Sequence, residues 1–183
     1  MAGSTPTVIN GYKVKKVLHE SDTKSTYIVK SKEDGKTYIL KMLNAANAHR
    51  HEVRKFFNHV RVGTSIRHRN IIHVANCFSI AGQDQTYCYV EEYATYGSLK
   101  RFILKNIQSN GHTSEVDAWS LILQMVRAYR FLHANELLHC SIKPSNVMIF
   151  KNGTVKIRNF GFATKARPDN QIVKRRCMSY YLM

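Results

Sequence analysis

The sequence predicts an α+β fold, with a five-stranded antiparallel amino-terminal lobe holding one inserted helix and a mainly helical lobe after it. Three observations carry this. Short β-branched and aromatic runs separated by polar turns fill residues 12–42 and recur over residues 71–93. Apolar residues at three- and four-residue spacing mark residues 45–66, 99–106 and 114–133 as helices. With 44% hydrophobic and 22% charged residues, the 183-residue chain can bury an ordinary core and does not have a disordered composition.

Residues 12–18 alternate apolar and basic side chains, as a half-buried strand does. Residues 26–30 and 37–41 give the next two strands, joined through Glu33-Asp34-Gly35, and Asp-Gly is a strong hairpin signal. In the inserted helix the stripe reads Val53, Phe56, Phe57, Val60 and Thr64. Residues 71–80 and 86–93 are the fourth and fifth strands, about a turn at Ala81-Gly82-Gln83-Asp84. A boundary falls at residues 93–97, where Gly97 offers a hinge, dividing the chain into 1–93 and 94–183. The long helix has Ser114 as its N-cap, with Asp117 three residues on, and a stripe of Leu121, Ile122, Met125, Val126, Tyr129 and Leu132. Residues 147–150 and 155–157 form a small hairpin about Asn152-Gly153; the glycosylation sequon Asn152-Gly153-Thr154 is read as that turn. After Gly161 the chain becomes polar and basic and reads as a loop.

Lys and Arg number 28 against 12 Asp and Glu, a net charge of +16 that favours polyanionic neighbours and says nothing of fold. Cys77, Cys88, Cys140 and Cys177 include no C-x-x-C pair, so neither a zinc ribbon nor a disulfide framework is indicated. No basic stretch leading into an apolar core opens the chain, and no apolar run approaches about 18 residues. A reducing compartment, cytoplasmic or nuclear, is the expectation. His49, His51, Glu52 and His59 share a helical segment without H-E-x-x-H spacing, and His49 and His51, two apart, should point away from each other. No metal site is expected there. Gly35-Lys36-Thr37 ends like a Walker A loop, but Lys30 stands where its first glycine is required.

The segment His139-Cys140-Ser141-Ile142-Lys143-Pro144-Ser145-Asn146, entering a short strand, resembles the protein-kinase catalytic loop H-R-D-L-K-P-E-N. Downstream, Asn159-Phe160-Gly161 is similar to D-F-G. Upstream, Tyr38-Ile39-Leu40-Lys41 resembles the third-strand V-A-I-K, and His68-Arg69-Asn70-Ile71-Ile72 the stretch entering the fourth strand. Val90-Glu91-Glu92-Tyr93, then Gly97-Ser98-Leu99, is similar to the hinge and the helix after it. The pieces stand in the family's order on the predicted elements, so the resemblance implies a protein-kinase-like fold from about Tyr12 onward. It breaks off at Ser179-Tyr180-Tyr181-Leu182-Met183, similar to the segment before A-P-E, so an incomplete carboxy-terminal lobe is expected.

The resemblance also implies a degenerate site. Lys41 stands where the family's lysine meets the nucleotide phosphates; Leu18, Thr26, Leu40, Glu92 and Ala94 fall at further nucleotide-binding positions. Counting forward from Lys41 and back from His68 puts that lysine's helical Glu partner at His59. Glu52 lies two turns away and reads as a surface residue. The phosphate-covering loop is His19-Glu20-Ser21-Asp22-Thr23-Lys24-Ser25-Thr26, with all the family's glycines replaced and two carboxylates added. Lys24 reads as a basic loop tip. Ser141 replaces the catalytic Asp and has no useful basicity near neutral pH. Cys140 replaces its Arg neighbour, while Lys143 and Asn146 are retained. Asn159 replaces the Asp that binds Mg²⁺, leaving two neutral amides for a cation that prefers carboxylates. Glu91 holds the gatekeeper position, where the wall is ordinarily apolar; whether it is paired is left open.

The expectation is a pseudokinase: a scaffold for protein partners, such as an active kinase or a phosphorylated protein, with weak ATP binding and little use for Mg²⁺. An atypical active Ser/Thr kinase, or a fragment of one, is the alternative. A basic nucleic-acid-binding protein is the third reading, resting on Arg50, Arg54, Lys55, Arg61, Arg67 and Arg69 and the stretch 165–176.

Overall fold

The computed structural model describes residues 8–166. Cys177, the basic residues from 167 on and the segment 179–183 lie outside the described residues. The chain divides into two compact units. One takes in the chain up to Val60 together with His73–Tyr93; the other takes in Arg61–Ile72 and the chain from Ala94. The chain passes from one unit to the other after Val60, after Ile72 and after Tyr93.

The first unit is built on one antiparallel sheet. Its strands are β1 (Val8–Ile9), β2 (Tyr12–Glu20), β3 (Lys24–Ser31), β4 (Thr37–Asn44), β5 (Val74–Ser79) and β6 (Thr86–Glu92), in the order β1-β2-β3-β4-β6-β5. The five expected strands are present, and β1 adds a two-residue edge. Gly35 closes the β3–β4 connection at φ +68°, a conformation that favours glycine. One sheet face carries the core of Tyr27, Val29, Leu40, Cys88 and Val90. β2 keeps its alternation only at Tyr12 and Val14. Register breaks at Val14/Lys16 and Val17/His19 then lift it away, leaving Val17 and Leu18 exposed.

Helix α1 (Arg50–Ser65) begins later than its sequence pattern, because residues 45–48 form a turn. Asn44 Oδ1 accepts the Ala46 amide at 3.1 Å there. The expected stripe is also displaced. Thr64 is exposed and Phe57 is 42% exposed, whereas His59, Val62 and Ile66 are buried. Aromatic contacts set the helix against β6, with Phe56 on Tyr89 at 4.9 Å and Phe57 on Tyr87 at 4.9 Å.

In the second unit, β7 (Gly97–Ser98) leads into α2 (Leu99–Gln108), and α3 (Glu115–Ala134) follows. The Ser114 side chain accepts the Asp117 amide, as an N-cap does. Then come β8 (Leu137–Leu138), β9 (Val147–Ile149), β10 (Val155–Ile157) and β11 (Thr164–Lys165). β9 and β10 form the expected hairpin, and Asn152 Oδ1 accepts the Thr154 amide at 3.1 Å in its turn. β7 pairs with β9 and β8 with β11, pairings too short to read from sequence. The core gathers Val62, Ile66, Ile71, Ala128, Leu132 and Phe160, among others. Leu121, Met125 and Tyr129 pack on it as expected, but Ile122 and Val126 are about half exposed (46% and 55%) and Ala128 takes the inner position.

Candidate functional site

Two clusters hold the predicted site residues, one in each unit. In the first unit, β4 pairs with β3 and β6 so that Lys41 lies directly between Thr26 and Tyr89. Direct partners share a sheet face, so Thr26 and Lys41 face the same way. Leu40 does not. As the next residue it points to the opposite face, and it is fully buried in the hydrophobic core. Leu40, read from sequence as a nucleotide-binding position, places its side chain in this core. Leu18 is 49% exposed beside the β2 irregularity.

Lys41 Nζ lies 2.7 Å from Glu91 Oε1 and 5.2 Å from the Tyr89 ring centre. The other Glu91 oxygen lies 3.2 Å from His59 Nε2. Glu91 is 1% exposed and His59 3% exposed, so both polar side chains are buried with partners at hand. The pairing left open in sequence is thus closed. The gatekeeper carboxylate holds the lysine, and the histidine at the vacated helical position holds the carboxylate. Glu52 is engaged elsewhere, in an ion pair with Lys24 that makes neither residue a bare surface charge. The Lys24 ammonium holds the Glu52 carboxyl below its ordinary value.

The turn between β2 and β3 is closed by hydrogen bonds between Ser21 and Lys24. Ser21 N–H donates to Lys24 O at 2.9 Å, and Lys24 N–H donates to Ser21 Oγ at 3.1 Å. A phosphate-binding loop offers such amides to its ligand; here the Ser21 and Lys24 amides are engaged within the hairpin. The Glu20 carboxylate accepts from Tyr27 Oη at 2.9 Å. At the end of β6, Glu92 Oε2 accepts the His73 amide at 3.0 Å.

In the second unit the catalytic-loop residues converge on Asn146, which is 4% exposed. Asn146 Nδ2 donates to Ser141 O at 2.8 Å and to Ser141 Oγ at 3.0 Å. Asn146 Oδ1 accepts from Asn159 Nδ2 at 3.2 Å. Behind them, Arg158 N–H donates to Asn146 O at 2.9 Å, and His139 Nε2 lies 3.0 Å from Arg158 O. His139 is packed, with 3% exposure and an edge contact with Phe160. Cys140 and Asn159 both have left-handed φ, +56° and +73°, a conformation uncommon for residues other than glycine. Lys143 is half-buried, directly before the turn Pro144–Asn146. Ala94 is buried with Ile72 and Met148.

This arrangement does not fit Mg²⁺. The two amides at the metal positions carry no charge, and the oxygen that Asn146 would give a cation is occupied by Asn159. The Ser21–Lys24 hairpin is also a poor fit for a triphosphate, since two of its amides are bonded within the turn and Glu20 and Asp22 bring negative charge. Among the described residues no three His, Cys, Asp or Glu side chains group as metal ligands. His49 and His51 do face each other, with their Nδ1 atoms 2.5 Å apart, because His49 lies before the helix rather than on it. No helix among the described residues is long and apolar enough to cross a membrane.

Comparison with known proteins matches the protein kinase domain family over residues 12–183. The chain is 29% identical over 164 residues to an Aurora kinase of Yarrowia lipolytica, covering 89% of this chain and 42% of that protein. It is 27% identical over 154 residues to the serine/threonine-protein kinase PrkC of Bacillus subtilis, covering 84% of this chain and 23% of that one. To the serine/threonine-protein kinase Nek1 of Mus musculus it is 29% identical over 157 residues, covering 85% of this chain and 13% of that one. The chain thus spans less than half the length of the curated relatives it matches.

Proposed function

The chain belongs to the protein kinase domain family, and we propose that it is a catalytically impaired member that binds partners rather than transferring phosphate. The observation that carries the proposal is the hydrogen bond from Asn159 to Asn146 at 3.2 Å. Phosphoryl transfer depends on positioning and on cations that neutralise developing charge. Here the two metal positions are neutral and bonded to each other, and Ser141 cannot take a proton from a substrate hydroxyl. The partner on this reading is a protein, either an active kinase or a phosphorylated protein, in keeping with the net charge of +16. Nucleotide binding, where it occurs, is independent of Mg²⁺ and uses Lys41.

One observation favours a second reading, an atypical active Ser/Thr kinase: Lys41 keeps a carboxylate at 2.7 Å, supplied by Glu91. Thermal unfolding with ATP, with and without Mg²⁺, separates the two when paired with an assay of labelled γ-phosphate transfer. Ligand at about 100 times its dissociation constant stabilises by about 2.7 kcal/mol, readily seen as a raised midpoint. Impairment predicts no Mg²⁺-dependent shift and no transfer. Transfer that Lys41→Met abolishes would establish the second reading instead. Activity gained only in the Ser141→Asp/Asn159→Asp double variant would identify a site impaired at those two positions.

A further inference from the structure

We propose that a groove in the second unit, beside α2, docks an acidic peptide segment of a protein partner. The inference goes beyond the scaffold reading and would hold equally for an active kinase, since no residue of the groove belongs to the clusters described above. The groove encloses about 700 Å³ between α2, the start of α3 and the β9–β10 turn. Its floor is apolar, formed by Phe102, Leu121, Ile149 and Phe150. Four basic side chains stand on its lining: Arg101, Lys105, His112 and Lys151. All four are exposed, and among the described residues none of them stands in an ion pair. Asp117 is the only carboxylate on the lining, and it is already engaged, with Oδ2 accepting from Ser114 Oγ at 2.7 Å.

The walls are tied in place. Asn106 Nδ2 donates to Thr113 Oγ1 at 2.9 Å and Gly111 N–H donates to Asn106 O at 2.8 Å, which fastens the α2–α3 loop to α2. On the other side, Lys151 N–H donates to Thr95 Oγ1 at 2.8 Å and Tyr96 N–H donates to Ile149 O at 3.1 Å. A groove fixed before binding loses little freedom on docking. An apolar floor with an uncompensated cationic rim selects a ligand that pairs one or two large apolar anchors with flanking carboxylates. Nucleic acid would use the rim charge but leave that floor without an apolar anchor, so the peptide fits more of what is there.

The test uses the whole chain and a labelled peptide of repeated Glu interrupted by one Leu-Phe pair, read by fluorescence anisotropy. Saturable binding is expected. The Lys105→Glu/Lys151→Glu variant should weaken it by about tenfold or more, whereas reversal of the exposed β2 lysines, Lys13→Glu/Lys15→Glu, should change it by less than about twofold. Replacing the peptide's Leu-Phe pair with Ser-Ser should also weaken binding, a readout that leaves the protein untouched. Equal losses from the two protein variants, or equal binding of the Ser-Ser peptide, would overturn the proposal by showing delocalised charge attraction. Tighter binding of an oligouridylate strand, relieved by the same Lys105→Glu/Lys151→Glu variant, would overturn it in favour of a nucleic-acid surface. None of these readouts involves nucleotide or phosphate transfer, so failure here is distinct from failure of the scaffold reading.

Discussion

The two clusters satisfy their polar groups in opposite ways. In the first unit the lysine's expected carboxylate is gone from α1, yet Lys41 still has one at 2.7 Å because Glu91 supplies it from β6. In the second unit Ser141 and Asn159 stand where the sequence motifs led us to expect carboxylates, and uncharged groups meet there instead. Ser141, Asn146 and Asn159 bond to one another as neutral groups. The difference lies in what each cluster must satisfy. The buried member of the first pair is Glu91, whose carboxylate is tolerated there because Lys41 and His59 both stand against it. Removing metal-binding carboxylates leaves no cation to neutralise, and amides can satisfy each other locally.

The contrast breaks first at Glu91. Glu91→Gln should cost about 3 kcal/mol in urea unfolding at neutral pH, because it leaves Lys41 without its counter-charge. The double variant Lys41→Met/Glu91→Leu should recover most of that loss, since replacing both charges with apolar groups is often close to neutral. A Glu91→Gln chain as stable as the parent would mean that the carboxylate does not hold the lysine, and the comparison would collapse.

The neutral cluster should respond more weakly. Asn146→Ala removes the hub of the bonds to Ser141 and Asn159 and should cost about 2 kcal/mol. Ser141→Ala should cost less than about 1 kcal/mol, because Asn146 Nδ2 keeps the Ser141 carbonyl at 2.8 Å. Asn159→Asp sharpens the point. It sets a carboxylate against Asn146 Oδ1 where a donor now stands. The variant should melt below the parent in a chelator and regain stability with added Mg²⁺, whereas the parent should be indifferent to Mg²⁺.

Much of this was legible in the sequence, for identifiable reasons. The strands of residues 12–44 and 74–92 carry period-two patterns and an Asp-Gly turn, and Ser114 advertises its cap three residues before Asp117, so local chemistry sufficed. The stripe of α1 was misread because its last turn packs in the second unit's core through Val62 and Ile66, and a local count cannot see that change of neighbour. The inner face of α3 was misread at Ile122 and Val126, since apolar spacing does not reveal which of two adjacent stripes finds a neighbour. In the candidate site Ser141, Asn159 and His59 could be read position by position as departures from the expected motifs. The Glu91 compensation could not, because it joins residues 41, 59 and 91 across α1 and two strands. Its signal was an acidic residue at an ordinarily apolar position, which announces a buried charge without naming its partner.

The smallest expected effect is at the exposed counterpart of the Lys41 pair. Lys24 and Glu52 form an ion pair with side chains 42% and 26% exposed, against 25% for Lys41 and 2% for Glu91 in the other pair. Solvent screens it, so Lys24→Ala should cost only about 0.5 kcal/mol and less at high salt. Its pH dependence has a definite sign. Lys24 lowers the folded-state pKa of Glu52 below 4.5, so the pair's contribution is present above that pH and fades as pH falls through the folded value. Lys24→Ala should therefore narrow its stability gap to the parent on acidification below about pH 4. If the gap were as large as that of Glu91→Gln, or unchanged by acid, burial would not be what separates the two pairs, and the account of why Glu91 was recruited would lose its physical basis.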